Sequence, residues 1–387
     1  MKNAIYVGHI GWEGTAMAIH SRNIAHLLES RGYQVSFVSP CATKQYREFG
    51  KEDKYQYYYT KQFIKIPKLR TIEWMLEELY GIKLFVLFKK ILKQKKADLV
   101  LFYGYSGEKR IIDYCKKRNV RVFIDRTDWF ETDDREGVFG KLFTKVCADN
   151  CIEKYDLKAN GVIAISKFFY DYYSARGQKT IWIPPIFNVP KGLHFESPKA
   201  SVIKLVYAGS LGGTKDIIAP VVECLVTSLN RDKVCFRLDL IGITEQELSM
   251  KFGEHNWQAL AIYAHGRVAH KEAIKIVSNS DFSFLLRQNK KYAKAGFSTK
   301  FAESMCNGVP VICTEVGGAD VLVQNMKNGI LIKDNKKETV QNVLEDLLLL
   351  ERKEIKKMKE SAYDTALKYF DFFSYESEFN TFLEGNE

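Results

Sequence analysis

Short apolar runs alternate with longer amphipathic stretches along most of the chain. Ala4-Ile5-Tyr6-Val7 reads as a buried strand, followed by a loop holding Gly8, Gly11 and Gly14. Helical spacing then runs through Met17, Ile24, Leu27 and Leu28 and stops at Gly32, a residue suited to the position after a helix end. Val35-Ser36-Phe37-Val38 is the next strand, closed by Ser39-Pro40. Runs of the same kind fall at 98–103, 120–124, 161–165 and 180–183. They are continuously apolar rather than alternating, and helical stretches separate them. That combination predicts a parallel sheet covered on both faces.

Pro184, Pro185, Pro190, Gly192 and Pro198 then cluster in the manner of a linker, and the alternation restarts. Lys204-Leu205-Val206-Tyr207-Ala208 opens a second series with its own loop, Gly209-Ser210-Leu211-Gly212-Gly213. Further strands are expected at 237–241, 261–264, 282–286, 309–314 and 329–332. The reading is an α/β chain of two Rossmann-like, doubly wound halves. The N-terminal half spans 1–185, a linker 186–200, the C-terminal half 201–365, and a final helical segment 366–387 crosses back to the N-terminal half. In such sheets ligands bind at the carboxyl ends of the strands, so the expected site is the cleft between halves. The first glycine loop is not G-x-G-x-x-G and no acidic residue ends the second strand, which argues against a dinucleotide enzyme.

Composition narrows the class. A chain of 387 residues suits two domains, and 46% hydrophobic with 13% aromatic residues excludes intrinsic disorder. No run approaches the roughly 18–20 uncharged apolar residues of a membrane span, and the first apolar run meets Gly8 too early for a signal-peptide core. The eight cysteines are scattered, with only Cys147 and Cys151 close together, too few ligands for a zinc site. All eight are read as reduced thiols in a cytoplasmic protein. No Asp-x-Asp occurs, so no metal is expected.

Chemistry concentrates between 286 and 312. A helix should begin at Ser298-Thr299, where either hydroxyl can cap it, and end at Asn307-Gly308. Its start gathers free backbone N–H groups, Lys300 and, from upstream, Arg287, a setting that suits a diphosphate. Glu303, one turn in, is placed to accept hydrogen bonds from a ribose diol. The plain alternative is an amphipathic helix with Lys300 and Glu303 paired in water, worth ~0.2–0.5 kcal/mol.

Gly296-Phe297-Ser298-Thr299-Lys300-Phe301-Ala302-Glu303-Ser304, followed by Gly308-Val309-Pro310-Val311-Ile312, resembles the donor-site signature of retaining GT-B glycosyltransferases. The resemblance is to the family-four group that builds bacterial capsules, lipopolysaccharide and exopolysaccharides. Four other stretches fit the same group: Val206 to Ser210 with Lys215-Asp216, Gly266-Arg267-Val268-Ala269-His270, Phe282 to Arg287, and Ala164 to Phe169 with Tyr172-Tyr173. The match runs from about Ala159 to Ile332, and one position departs from it, since Ala295 stands where the group often has a second glutamate. The resemblance implies transfer of a sugar, with retention, from a nucleotide-diphospho-sugar to a hydroxyl. UDP or GDP is the expected nucleotide, a substrate rather than a cofactor. It implies catalytic roles for Lys215 and Arg287 at the diphosphate and for Asp128, ahead of Asp125, near the acceptor. Donor contacts fall to Gly11, Gly14, Gly209, Val268, His270, Gly296, Phe297, Ser298, Thr299, Lys300 and Glu303. His9 is a weaker acceptor candidate, while His20, His26 and Arg22 read as packing or surface residues.

The net charge of +11 is unevenly placed. Between Thr60 and Lys96 there are ten basic residues against three acidic ones, interleaved with Phe63, Trp74, Leu79, Tyr80, Phe85 and Phe88. This fits helices that rest on an anionic membrane, at ~1 kcal/mol per basic residue near the headgroups; core-packed helices with solvated lysines would read similarly. The expected partners are a nucleotide-sugar donor, a saccharide or polyprenyl-diphosphate-linked acceptor and the inner face of the cell membrane. Nucleic acid is not expected, because no binding motif accompanies the charge. Rival readings are a GT-B nucleotide-sugar epimerase, a non-catalytic nucleotide-sugar-binding protein, and a two-domain solute-binding protein, the last opposed by the missing export signal.

Overall fold

The computed structural model describes residues 2–384 except 9, 11–14, 41–53, 62–65, 131–136, 144–146, 197–200 and 212–215. The chain divides into two units. One comprises Met1–Pro184 with Tyr375–Glu387, the other Pro185–Ser374.

The first unit is built on β1 (Lys2–Gly8), β2 (Tyr33–Ser39), β3 (Gln56–Tyr59), β4 (Leu99–Tyr103), β5 (Arg121–Arg126), β6 (Gly161–Ala164) and β7 (Thr180–Trp182). They form one sheet in the order β3-β2-β1-β4-β5-β6-β7, every pairing parallel. β4, Leu-Val-Leu-Phe-Tyr, is buried along its whole length, as a central parallel strand between two helical layers requires. β3 has no counterpart in the apolar pattern. Its Gln-Tyr-Tyr-Tyr sequence makes a half-exposed edge, held by stacking of Tyr57 on Phe37 with centroids 5.0 Å apart.

The second unit repeats the plan with β8 (Ile203–Ala208), β9 (Phe236–Ile241), β10 (Ile262–Gly266), β11 (Phe282–Leu285), β12 (Val311–Thr314) and β13 (Gly329–Ile332). Their order is β10-β9-β8-β11-β12-β13, again all parallel. In each sheet the strand order reverses beside the first strand, between β1 and β4 and between β8 and β11. Those two points are where a doubly wound sheet opens a crevice for a ligand.

The expected return of the C-terminal helix is present. The helix Glu376–Glu384 buries Phe379, Phe382 and Leu383 in the first unit. Phe382 packs on Phe123 at 5.1 Å and over Gly161, where a Cβ would come within 2.8 Å of its ring. Arg121 donates to the Leu383 carbonyl at 2.5 Å, closing the helix end. The preceding segment stays with the second unit, where Phe187 and Phe370–Phe372 exchange backbone hydrogen bonds.

The basic stretch forms two helices, Pro67–Tyr80 and Ile82–Lys95, joined at Gly81. Gly81 has φ +54°, and a Cβ there would meet the Gly107 backbone at 2.7 Å, so only glycine lets the two turns approach. Glu77 is buried and accepts from the backbone N–H groups of Lys83 and Leu84, capping the second helix. That helix buries Leu84, Phe88, Ile91 and Leu92. The first leaves Leu69, Ile72, Trp74, Leu76 and Tyr80 exposed.

Candidate functional site

The loop after β8 and the end of β11 meet at the second unit's switch point. Ile217 N–H donates to the Leu286 carbonyl at 2.8 Å, pinning the loop against the strand end. Arg287 is fixed by Thr314 at the end of β12: its N–H donates to the Thr314 hydroxyl at 2.9 Å, and that hydroxyl donates back to its carbonyl. Beside them begins the helix Thr299–Cys306, where the sequence placed it. Ser298 caps it by accepting from Phe301 N–H, and the chain turns off through Gly308 at φ +65°. Ser298 is buried beneath its cap, while Thr299 and Lys300 stand half-buried on the first turn.

Arg287 and Lys300 converge on Asp216. The Arg287 Nε donates to Asp216 Oδ1 at 2.7 Å and the Lys300 ammonium to Oδ2 at 2.5 Å. Burial alone would push the Asp216 carboxyl up; Arg287, then Lys300, outweigh it and hold the group below the usual carboxylate range. Lys300 also lies 5.5 Å from the Tyr207 ring centroid. A Cβ on Gly209 would sit 2.5 Å from the Tyr207 hydroxyl and 2.8 Å from the ammonium, so the bare backbone at Gly209 leaves room for both side-chain ends. Asp216 was not among the expected site residues; its only signal was an acid placed next to Lys215.

One turn further, Glu303 Oε1 lies 2.9 Å from His270 Nε2, the first residue of the helix His270–Ser278. The hydrogen bond from His270 to Glu303 raises the imidazole above its usual range, with burial opposing. A cleft between these two helices is lined by Ala208, His270, Lys300 and Glu303. Val268 packs against the small cluster of Val206, Ile241, Val277 and Val309 beneath the loop. Gly296 follows the short helix Lys291–Ala295, and Ala295 is wholly buried. The Phe297 ring turns inward, edge-to-face with Phe301 and Phe370 at 5.7 and 5.8 Å, which leaves its backbone as the group able to meet a ligand. Gly11, Gly14, His9 and Lys215 lie outside the described residues.

At the first unit's switch point the two aspartates separate. Asp125 is buried, accepting from the Tyr6 hydroxyl and from His20 Nε2 at 2.9 Å. His20 is thus a buried partner of Asp125 rather than a surface residue. Asp128 stays half-buried at the wall of a cavity of about 380 Å³ shared with Trp74, Tyr103, Tyr105, Thr127 and Phe130. Burial, then the Asp128 charge, pushes the Tyr103 hydroxyl well up. Below the cavity Arg126 is buried between Glu108 and Asp156, a network the strand pattern did not disclose.

Residues 203–365 match the family described as glycosyl transferases group 1. An uncharacterized glycosyltransferase of Methanocaldococcus jannaschii is 25% identical over 91% of this chain and 89% of its own length. Among solved structures, the lipopolysaccharide outer core galactosyltransferase WaaB covers 99% of both chains at TM-score 0.65 and 17% identity. Anabaena HepE in complex with UDP covers 99% of this chain and 100% of its own at TM-score 0.70 and 15% identity. Sucrose-phosphate synthase of Thermosynechococcus elongatus covers 99% and 98% at TM-score 0.71 and 14% identity. Two parallel α/β units, these likenesses and the match over the second unit lead to one conclusion: the chain has the GT-B fold, with a second unit similar to the group 1 glycosyl transferases.

Proposed function

We propose that this protein transfers a glycosyl unit from a nucleoside-diphospho-sugar to a hydroxyl of a saccharide or lipid-linked saccharide, with retention, in surface-polysaccharide assembly. The observation that carries the donor half is the convergence of Arg287 and Lys300 at the β8/β11 switch point with Glu303 one turn away. A diphosphate takes the cations and the helix start, while Glu303 accepts from the ribose diol. UDP is the favoured nucleotide, since HepE is described with UDP and with UDP-glucose.

In the reaction the bond from the anomeric carbon to the β-phosphate oxygen breaks and a bond to the acceptor oxygen forms on the same face. The acceptor proton passes to the departing diphosphate. Charge grows on that leaving group, and preorganised donors facing it are worth ~2.7–4 kcal/mol of barrier each. Arg287 and Lys300 take this role, with Lys215 assigned to it by the sequence resemblance; protein cations do the neutralising without a metal.

The acceptor half is assigned to the cavity at Asp128. Its volume of about 380 Å³ and its aromatic walls, with the carboxylates of Asp128 and Glu78 among the lining residues, suit a sugar ring, in line with pockets of ~300–1,000 Å³ that carry few polar groups. Trp74 reaches that wall from the helix Pro67–Tyr80, whose outer side exposes Leu69, Ile72 and Leu76 beside basic residues. This combination supports docking at the cytoplasmic face of the membrane, where a lipid-linked acceptor resides. Among the described residues no helix is long and apolar enough to span a membrane.

The test is turnover of a panel of UDP-, GDP- and dTDP-sugars, with and without lipid-linked saccharide, followed by NMR of the anomeric proton. Transfer or release of sugar in its original configuration supports the proposal. An inverted product contradicts retention, a new epimer identifies an epimerase, and tight binding without turnover removes the enzymatic reading.

A further inference from the structure

A carboxylate beside a diphosphate site is electrostatically unfavourable, yet Asp216 stands between the two cations assigned to the diphosphate and is only 8% exposed. Its two oxygens are divided, one to Arg287 Nε and one to the Lys300 ammonium. The elements that carry these three groups are far apart in sequence: the loop after β8, the end of β11, and the first turn of the helix Thr299–Cys306. Without the carboxylate, two like charges would face each other at this strand edge, and Lys300, whose side chain is 38% exposed, would have water as its alternative. With it, the guanidinium is held by its Nε edge. Its two terminal nitrogens have no partner among the described residues and remain for a ligand.

Resting on the donor-site reading above, we infer that Asp216 is a positioning residue for the donor diphosphate. It gives up one unit of attraction in exchange for holding Arg287 and Lys300 in a fixed pair. The Ile217 to Leu286 hydrogen bond and the two Thr314 bonds to Arg287 make the frame rigid enough for such a clamp. The depressed Asp216 carboxyl agrees with a permanently ionised group at neutral pH.

The sign of one substitution decides the matter. If the carboxylate only opposes the diphosphate, Asp216→Asn tightens binding; if it positions the cations, Asp216→Asn weakens it. The experiment titrates UDP calorimetrically into the full-length protein and its Asp216→Asn and Asp216→Glu variants, with uridine binding followed by saturation-transfer NMR. Charged hydrogen bonds of this kind lead to an expected loss of roughly tenfold or more in UDP affinity for Asp216→Asn. Uridine, which has no diphosphate, binds the variant as it binds the parent, and Asp216→Glu recovers part of the UDP affinity. UDP binding that is unchanged or tighter in Asp216→Asn overturns the inference. So does a parallel loss of uridine, which marks damage to the unit rather than to the clamp. A parent protein that binds neither UDP nor GDP overturns the donor-site reading itself.

Discussion

Replacing Arg126 by methionine tests how the first unit holds the strand end that presents Asp128. Arg126 is 1% exposed. It donates from Nε to Asp156 at 3.0 Å, from its terminal nitrogens to Asp156 at 2.6 Å, Glu108 at 2.5 Å and the Gly104 carbonyl at 2.7 Å, and it lies 4.5 Å from the Tyr105 ring centroid. Methionine fills much of the volume but leaves Glu108 and Asp156 buried with the Tyr173 hydroxyl as their remaining side-chain donor among the described residues. Removing one side of a buried pair costs about 3–5 kcal/mol, because the other side keeps its desolvation penalty. The loss should depend on pH. Burial, reinforced by Asp156, already holds the Glu108 carboxyl well above its usual range against the pull of Arg126, and removing Arg126 raises it further. A carboxyl raised in the folded state contributes stability that is complete at acid pH and fades as pH climbs through the folded value. Arg126→Met should therefore be less stable at pH 8 than at pH 5.5, and adding Glu108→Gln should recover part of the deficit at pH 8. Urea unfolding with hydrogen exchange read on peptides spanning β5 reports the first unit alone. A loss under about 1 kcal/mol, or one equal at both pH values, would refute the reasoning.

Two other predictions concern the donor site and the exposed helix Pro67–Tyr80. His270 titrates above the ordinary histidine range because it donates to Glu303. Its NMR titration should move back toward ~6.5 in Glu303→Gln and on addition of UDP, as the ribose takes over the carboxylate; a titration unmoved by either would contradict the pairing. On the membrane side, eight of the sixteen exposed large hydrophobics among the described residues lie between Ile66 and Val86. The double variant Ile72→Glu, Leu76→Glu should lose sedimentation with anionic vesicles while keeping UDP affinity, and equal sedimentation of variant and parent would remove the docking role.

What could be read in the sequence was local. The helix Thr299–Cys306 announced itself because its cap, Ser298, and its terminating glycine, Gly308, act within a turn of the ends they fix. The strands could be read because a parallel sheet buried on both faces needs continuous apolar runs, as β4 shows. Where stabilisation comes from partners distant in sequence, the pattern was silent. Asp216 meets Arg287 and Lys300 across 71 and 84 positions, and β3 is held by rings on a neighbouring strand rather than by its own apolarity. The basic stretch shows the same limit. Both of its helices carry mixed apolar and basic residues, and only tertiary packing separates Ile82–Lys95, which enters the core, from Pro67–Tyr80, which does not.

The account stands on the donor site, and Glu303 is the residue whose assigned role is least shared with any structural duty beyond its contact with His270. Calorimetric titration of UDP and GDP into the parent and into Glu303→Ala measures that role directly. The account predicts one saturable site in the parent and an affinity roughly ten- to a hundredfold weaker in the variant, the worth of charge-assisted hydrogen bonds to a ribose diol. Equal affinity in the two proteins, or no binding of either nucleotide to the parent, would contradict it.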